Sequence, residues 1–231
     1  MEIKPNGIND LCRTVNGVEY MRIPVKTHVI MYGDKLTDVL DTYIRPHLEE
    51  SDVVFMCEKA VACTQKRAIP MRDIKPSRTA KFLCKRVYKN PYGIGLSIPE
   101  TMQCALDEAG YFRILFAAFI SVFAKLFRRR GVFYKIAGDK VRGIDGPCEV
   151  TLPPYNEYVV LSPSAPEKVA KELGEHLGYP LAIVDANDLG VNVLGSFGLL
   201  FSDETLAEII ADNPLNNADE QTPVGIIRVN K

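Results

Sequence analysis

The sequence predicts an α+β protein in which mixed sheets pack against helices. Some segments space their apolar residues as a helix does, and others alternate or form short continuous apolar runs as strands do. These two kinds of segment do not alternate regularly along the chain, which argues against a parallel α/β fold. Glycine and proline are scattered and no repeat is found. We therefore expect one unit over residues 1–231, either undivided or built from two interwoven subdomains.

Apolar spacing assigns the elements of the first half of the chain. Residues 19–27 alternate and residues 52–57 form a continuous apolar run, and both patterns predict strands. Helical spacing predicts helices over 35–48, 77–88 and most of 98–127. Asp34 is expected to cap the first helix. Residues 90–95 contain a proline and two glycines, which predicts a loop.

The second half adds further strands and two helices. Short apolar segments predict strands over 132–137, 158–161, 181–184 and 225–229. A helix is predicted over 165–177, because Pro166 stands near its start and Gly178 follows it. Ser202 or Asp203 is expected to cap a second helix that ends at Ile210. Residues 143–156 contain glycine and proline and are predicted to be irregular.

Composition and charge exclude several classes of protein. The 231 residues are 47% hydrophobic and 25% charged, which is typical of a globular protein rather than a disordered or fibrous one. The 28 Lys and Arg against 29 Asp and Glu leave a net charge of -1, so no overall field favours nucleic acid or an anionic membrane. We expect neither partner.

The apolar segment 114–124 is too short to span a bilayer, because a helix of that length reaches about 17 Å. We expect a core or dimer-interface helix here, with peripheral membrane contact as the alternative. The first residues lack the apolar core of a signal peptide. The six cysteines contain no C-x-x-C pair. Both observations favour a cytoplasmic protein with free thiols.

Two acidic loops contain candidate metal ligands. Residues 143–149 include Asp145, and residues 185–190 include Asn187 and Asp188; each loop follows a predicted strand. Carboxylate and amide oxygens are the ligands that Mg²⁺ and Mn²⁺ prefer. The alternative is that these residues are ordinary turn formers that hydrogen-bond nearby backbone.

A third polar loop spans residues 213–223. Its amides, hydroxyl and carboxylates are suited to a sugar, a base or a metal, and the alternative is a solvated turn.

Several short motifs, taken in order, resemble the coenzyme F420-0:L-glutamate ligase (gamma-glutamyl ligase) family. They occupy residues 23–27, 33–36, 52–67, 143–145, 187–190 and 218–223. The resemblance implies a ligase that uses GTP, or ATP, with Mg²⁺ or Mn²⁺. Such an enzyme activates a carboxylate as an acyl phosphate and joins L-glutamate to it through an amide. It also implies a gamma-glutamyl ligase-like α+β homodimer.

The resemblance also implies the site residues. It assigns the metal ligands to Asp145, Asn187 and Asp188. It assigns nucleotide contacts to Pro24, Val25, Lys26, Glu58, Lys59, Cys148, Asp219, Glu220, Gln221 and Thr222. Lys26 or Lys59 would offer a point charge to phosphate. The remaining partner would be a small carboxylate or glutamate.

The sequence departs from the family pattern at four of its positions. Glu58, Cys63, Cys148 and Asn187 stand where the family commonly has Ser, Lys, Asn and Asp. These changes leave two alternatives to a ligase: a noncatalytic nucleotide-binding or scaffold homodimer that kept the fold, and a metal-dependent phosphohydrolase.

Overall fold

A computed structural model of the chain describes residues 4–7, 9–87, 94–127, 129, 131–187, 190–216 and 219–230. The chain divides into two compact units. The first unit comprises Met1–Lys66 and Pro163–Lys231, and the second comprises Arg67–Ser162. The class is α+β, as the sequence predicts.

The described strands and helices are as follows in chain order. The strands are β1 (Cys12–Val15), β2 (Val18–Val25), β3 (Val53–Cys57), β4 (Ala68–Pro70), β5 (Tyr158–Val160), β6 (Leu181–Asn187), β7 (Gly190–Phe197) and β8 (Val224–Val229). The α-helices are α1 (Leu36–Tyr43), α2 (Glu58–Thr64), α3 (Arg78–Cys84), α4 (Pro99–Ala109), α5 (Tyr111–Leu126), α6 (Val132–Ala137), α7 (Asp139–Arg142), α8 (Pro166–Leu177) and α9 (Asp203–Ile209). Single 3-10 turns cover Arg45–His47, Met71–Asp73 and Tyr155–Glu157.

The first unit is built on a mixed sheet whose strand order, within the described residues, is β1-β2-β8-β3-β6-β7. Only β3 and β6 pair in parallel; the other neighbouring pairs are antiparallel. One face of the sheet packs against α1 and α8 through residues such as Ile23, Met56 and Leu173. The other face packs against α9 through residues such as Phe55 and Leu206. Apolar side chains therefore cover both faces of the central strands, which explains their continuous apolar runs.

Helix α8 approaches β7 very closely because two glycines permit it. A Cβ atom at Gly195 would lie 2.5 Å from backbone atoms of Glu167, at the start of α8. A Cβ atom at Gly174 would lie 2.3 Å from the Phe197 ring. The helix ends where predicted, at Leu177, and the following Gly178 adopts the left-handed conformation (φ 78°) that glycine tolerates.

The second unit combines the two-stranded sheet β4-β5 with helices α3 to α7. Its core is formed chiefly by α3, α4 and the buried residues Ile114 and Ala117 of α5. Val159 of β5 and Ile144 also belong to this core. Among the described residues, no helix combines the length and the hydrophobicity needed to cross a bilayer. The six cysteines are free thiols.

Three local predictions are wrong. Residues 132–137 form the helix α6 and not a strand, because Phe133, Ile136 and Ala137 share a helical face that packs on the core of the second unit. Asp34 does not cap α1; the N-cap is Lys35, and Asp34 accepts a hydrogen bond from the Met31 N–H instead. The loop predicted over 185–190 contains the end of β6 and the first residue of β7. Residues 88–93, which include most of the predicted loop 90–95, lie outside the described residues.

Candidate functional site

One edge of the sheet in the first unit gathers several of the predicted nucleotide-binding segments. Strand β2 is antiparallel to β8, β8 is antiparallel to β3, and β3 is parallel to β6. Val224 at the start of β8 pairs with both Val25 and Met56, and Cys57 pairs with Val184. The carboxyl ends of β2, β3 and β6 therefore share an edge with the start of β8. We call this the candidate edge.

The segment after β2 is held against the segment before β8. The Thr27 N–H donates to the Gln221 carbonyl (3.2 Å), and the Gln221 side-chain amide donates to the Thr27 carbonyl (2.6 Å). This pair of bonds places Gln221 beside Lys26, whose side chain is exposed. Pro24 and Val25 are buried in β2, so of the three predicted residues here only Lys26 offers its side chain to solvent.

Thr222 has a structural role in the same loop. Its hydroxyl donates to the Leu215 carbonyl (2.8 Å) and accepts from the side-chain amide of Asn6 (2.7 Å). Asn6 also donates to the carbonyls of Pro214 (3.1 Å) and Leu215 (3.0 Å). Sequence analysis missed Asn6, since a lone asparagine 216 positions away gives no signal of this contact.

The remaining acidic residues of this loop lie nearer to solvent. Asp219 is exposed, and the Glu220 carboxylate accepts a hydrogen bond from the Asn216 side chain. The loop thus presents one exposed carboxylate at the candidate edge and holds the other by an internal bond.

The end of β3 brings a carboxylate and an ammonium group to the candidate edge. Helix α2 begins at Glu58, whose side chain is only 4% exposed, and the Lys59 Nζ lies 2.8 Å from its Oε1. The Lys59 side chain is 25% exposed. Because a buried carboxylate is costly without a cation, this ion pair stabilises both groups in place. Cys63, on the same helix, is buried.

The neighbouring thiol is not suited to nucleophilic chemistry. Burial raises the pKa of Cys57 to about 11, and the hydrogen bonds from the Ala60 and Lys59 backbone only partly oppose this shift. A thiol with that pKa is protonated at neutral pH, whereas the thiolate is the reactive form.

The end of β6 supplies oxygen donors to the candidate edge. Asp185 and Asn187 lie two residues apart on a strand, so both point to one face of the sheet. The Asn187 amide donates to the Asp185 carboxylate at 3.2 Å. Asp188, the other predicted ligand here, lies outside the described residues. Asp185 lies within the predicted loop, and the sequence pattern does not indicate it as a ligand because it gives no sign that β6 extends to Asn187.

Asp145 and Cys148 belong to the second unit. The backbone of Asp145 pairs with Val160 through two hydrogen bonds of 2.9 Å, and both Asp145 and Cys148 are exposed. Their loop follows helix α7 and not a strand, contrary to the prediction. Within the described ranges no group of three or more His, Cys, Asp or Glu side chains is arranged to hold a metal ion.

An open hollow of about 260 Å³ lies just beyond the end of β2, beside α1. The two ring nitrogens of His28 contact the Tyr43 hydroxyl (3.2 Å) and the Asp34 carboxylate (3.1 Å). The pKa of Asp34 is lowered chiefly because the Met31 N–H donates to it, with a further contribution from His28. Sequence analysis did not select these residues, since three separated positions carry no joint pattern.

Comparison with known proteins gives one result for the family. A family model described as F420-0:Gamma-glutamyl ligase matches residues 24–183, which is more than half of the chain. No curated protein matches the chain. The matched range includes Lys26, Glu58, Lys59, Asp145 and Cys148. The predicted residues from Asn187 onward lie beyond it.

Proposed function

This chain belongs to the F420-0:gamma-glutamyl ligase family, and from that membership we propose that it is a nucleotide-dependent amide ligase. In this proposal it extends a small carboxylate acceptor, of which coenzyme F420-0 is the first candidate, with L-glutamate. The observation that carries the proposal is the candidate edge. Lys26 follows the end of β2, and Lys59 follows the end of β3. The oxygen donors of β6 and the loop before β8 lie at the same edge of the sheet.

The reaction has two steps. An acceptor carboxylate oxygen attacks the γ-phosphorus of GTP or ATP, the bond from that phosphorus to the bridging oxygen breaks, and the nucleoside diphosphate leaves. The ammonium group of L-glutamate then loses one proton to solvent, attacks the acyl carbon as the free amine, and gives up a second proton to solvent. An amide forms, the acyl carbon–oxygen bond breaks, and inorganic phosphate leaves.

The candidate edge has charges suited to this chemistry. The triphosphate, the acceptor carboxylate and glutamate are all anions, so bringing them together requires cations. Lys26 is exposed, and Lys59 is partly exposed and held by the buried Glu58 carboxylate. In the proposal Lys26 binds phosphate directly. Glu58 holds the Lys59 ammonium group in place, where it offers a second point charge to phosphate.

A divalent cation, Mg²⁺ or Mn²⁺, belongs to the proposal. When bound, such an ion would neutralise phosphate charge. The Asp185 carboxylate and the Asn187 side chain fit it in chemical class, because hard cations bind oxygen donors. The family resemblance also implies Asp145 and Asp188 as metal ligands, and each is proposed on that resemblance alone. Asp145, Asp185 and Asp188 are each tested by an aspartate-to-asparagine variant, and Asn187 is tested by Asn187→Ala.

Calorimetric titration with GTP and with ATP, each with Mn²⁺ or Mg²⁺ and with chelator, tests nucleotide binding. We expect metal-dependent binding in the micromolar range, about -8 kcal/mol. Lys26→Met should weaken it about tenfold or more, since the exposed charge is lost without disturbing the core. The matched control is Lys171→Met on α8, where the lysine is 64% exposed and forms a helical pair with Glu175. Equal affinities for wild type and both variants would contradict the assignment of Lys26.

A second measurement separates the ligase from the alternatives. Phosphate release is followed with GTP, coenzyme F420-0 and L-glutamate together, and with each omitted in turn. Release that requires both the acceptor and L-glutamate supports a ligase. Release without either identifies a phosphohydrolase. Absence of metal-dependent nucleotide binding identifies a noncatalytic scaffold and overturns the proposal.

A further inference from the structure

The hollow beside α1 brings acidic, basic and hydroxyl groups of the first unit into one small space. We call it the α1 hollow. Its polar lining residues are His28, Asp34, Lys35, Asp38, Thr42 and Tyr43. Lys35, Asp38 and Thr42 follow one another at intervals of three and four residues, so they lie on one face at the start of the helix and along it. All three are exposed.

The α1 hollow has groups for both charges of an amino acid. The Asp34 and Asp38 carboxylates and the Thr42 hydroxyl accept hydrogen bonds, which is what an ammonium group requires. Lys35 offers a positive charge to a carboxylate. Lys35 is also the N-cap of α1, and no side chain of the described residues caps this helix end, so its first N–H groups favour an anion as well. The hollow therefore matches a small molecule that carries an ammonium group next to a carboxylate.

His28 joins a carboxylate to a hydroxyl group in the α1 hollow. Its Nε2 lies 3.1 Å from the Asp34 Oδ2, and its Nδ1 lies 3.2 Å from the Tyr43 hydroxyl. The pKa of Asp34 is lowered, chiefly by the Met31 N–H, so this carboxylate is ionised at neutral pH and only accepts hydrogen bonds. The hydrogen of the neutral imidazole therefore belongs on Nε2. The Nδ1 lone pair then accepts the hydrogen of the Tyr43 hydroxyl.

This order of groups is that of a proton relay. A carboxylate that accepts from one histidine nitrogen fixes the tautomer of the ring and stabilises the imidazolium that forms when the other nitrogen takes a proton. Histidine is the side chain best suited to accept a proton at neutral pH. Tyr43 lines the hollow and contacts the accepting nitrogen. Its hydroxyl thus connects the space of the hollow to His28.

The α1 hollow borders the candidate edge. His28 follows Lys26 by two residues, which span at most about 7 Å. The residue between them, Thr27, is buried and is bonded to Gln221 of the candidate edge in both directions (3.2 and 2.6 Å). The Thr27 hydroxyl also donates to the His28 carbonyl (2.7 Å). The backbone of His28 is therefore anchored next to the place where the proposed ligase activates its acceptor.

We infer that the α1 hollow binds the amino-acid substrate and that Tyr43 and His28 relay the proton released by its ammonium group. The inference rests on the proposed ligase function. An N–H bond of the ammonium group breaks and its proton moves to the Tyr43 oxygen, while the Tyr43 hydroxyl proton moves to His28 Nδ1. The free amine keeps the electron pair and attacks the acyl carbon. The exposed His28 then releases the proton to solvent, and the second proton of the amine leaves directly.

Comparing two nucleophiles tests the relay. L-glutamate must lose a proton before it attacks, whereas hydroxylamine is uncharged at neutral pH and attacks an acyl phosphate directly, which gives a hydroxamate. The protein is supplied with GTP, Mg²⁺, coenzyme F420-0 and one of the two nucleophiles. His28→Gln should lower the rate with L-glutamate about 100-fold or more and leave hydroxamate formation unchanged.

His176→Gln is the matched control. The His176 Nε2 also contacts a carboxylate, that of Asp41 at 2.9 Å, and the side chain is 37% exposed against 45% for His28. This variant should change neither rate. An equal loss of both rates in His28→Gln, or no loss in either, would overturn the relay. Absence of hydroxamate from the wild type contradicts the ligase itself, and the inference falls with it.

The pH dependence gives a second measure of proton transfer. In His28→Gln the rate with L-glutamate should rise about tenfold per pH unit in the neutral range, because only the free amine reacts, and the wild type should rise less steeply. The other titratable groups that line the hollow are the same in both proteins and are Asp34, Lys35, Asp38 and Tyr43. The difference in slope therefore reports on His28, and equal slopes would contradict the relay.

Two further variants test the hydroxyl and the occupant. Tyr43→Phe keeps the ring and removes the hydroxyl, and it should lower the rate with L-glutamate about tenfold or more while hydroxamate forms as before; an unchanged rate overturns transfer through Tyr43. Lys35→Met should raise the KM for L-glutamate about tenfold. Lys171→Met, which removes a 64% exposed lysine of α8, is its control. An unchanged KM in Lys35→Met would place the amino acid outside the α1 hollow.

Discussion

Replacing Asp52 with asparagine should destabilise the first unit by about 3 kcal/mol. Asp52 has no exposed surface, and its carboxylate accepts hydrogen bonds from Arg228 Nε (2.9 Å), Arg228 Nη2 (2.7 Å) and the Glu49 N–H (2.8 Å). Asparagine keeps the shape but replaces one acceptor oxygen with a donor. The amide N–H of the asparagine then faces an N–H donor of Arg228 or Glu49, and the site is too buried for water to accept from either group.

The magnitude follows from the environment of Arg228. Breaking a buried ion pair costs about 3–5 kcal/mol. Hydrogen bonding to Asp52 is the main cause of the raised pKa of Arg228. Asparagine removes that cause, but arginine does not deprotonate in proteins, so the guanidinium stays charged in the variant. It also retains the His47 carbonyl (2.9 Å) and the Glu49 carboxylate, which places the cost at the lower end of the range.

Urea unfolding followed by circular dichroism measures this cost, and Glu49→Gln is the matched control. Glu49 pairs with the same arginine but its side chain is 66% exposed, so its loss should cost less than about 1 kcal/mol. At an unchanged m-value near 2 kcal/mol/M, Asp52→Asn should lower the midpoint by about 1.5 M. Equal midpoint shifts for the two variants would refute the reasoning.

Two further predictions concern ionisation. The pKa of Asp41 is lowered because Arg45 and then His176 donate to it, so its contribution to stability is present above the ordinary value of 3.8 and is lost as pH falls below it. Between about pH 5 and pH 3 the melting temperature of wild type should therefore fall more than that of Asp41→Asn; equal slopes would contradict this assignment. Burial raises the pKa of Cys57 to about 11. Iodoacetamide at neutral pH should therefore modify the exposed Cys148 first, as peptide mass spectrometry would show, and preferential labelling of Cys57 would be the opposite result.

Local patterns predicted the central sheet well. The strands expected over 19–27, 52–57, 181–184 and 225–229 correspond to β2, β3, β6 and β8. Their side chains alternate or are continuously apolar because the sheet is covered on both faces. The helix over 165–177 was predicted with its end, since Gly178 marks a local backbone requirement.

Packing decided the elements whose local pattern is ambiguous. A short and mostly apolar segment such as 132–137 fits either period, and contact with α5 in the second unit makes it a helix. Strand β7 carries two glycines in eight residues and gives little signal of its own. It forms because β6 offers an edge and α8 covers it.

The candidate site depended most on tertiary structure. The sequence by itself determined the family, the polar segments and the two lysines, because these are properties of the residues in order. Only the tertiary structure brought Thr27 to Gln221, 194 positions away, and revealed Asp185 at the end of a strand. Side-chain periodicity is a local property of the chain, whereas strand register is set by long-range hydrogen bonds and burial that no single segment encodes.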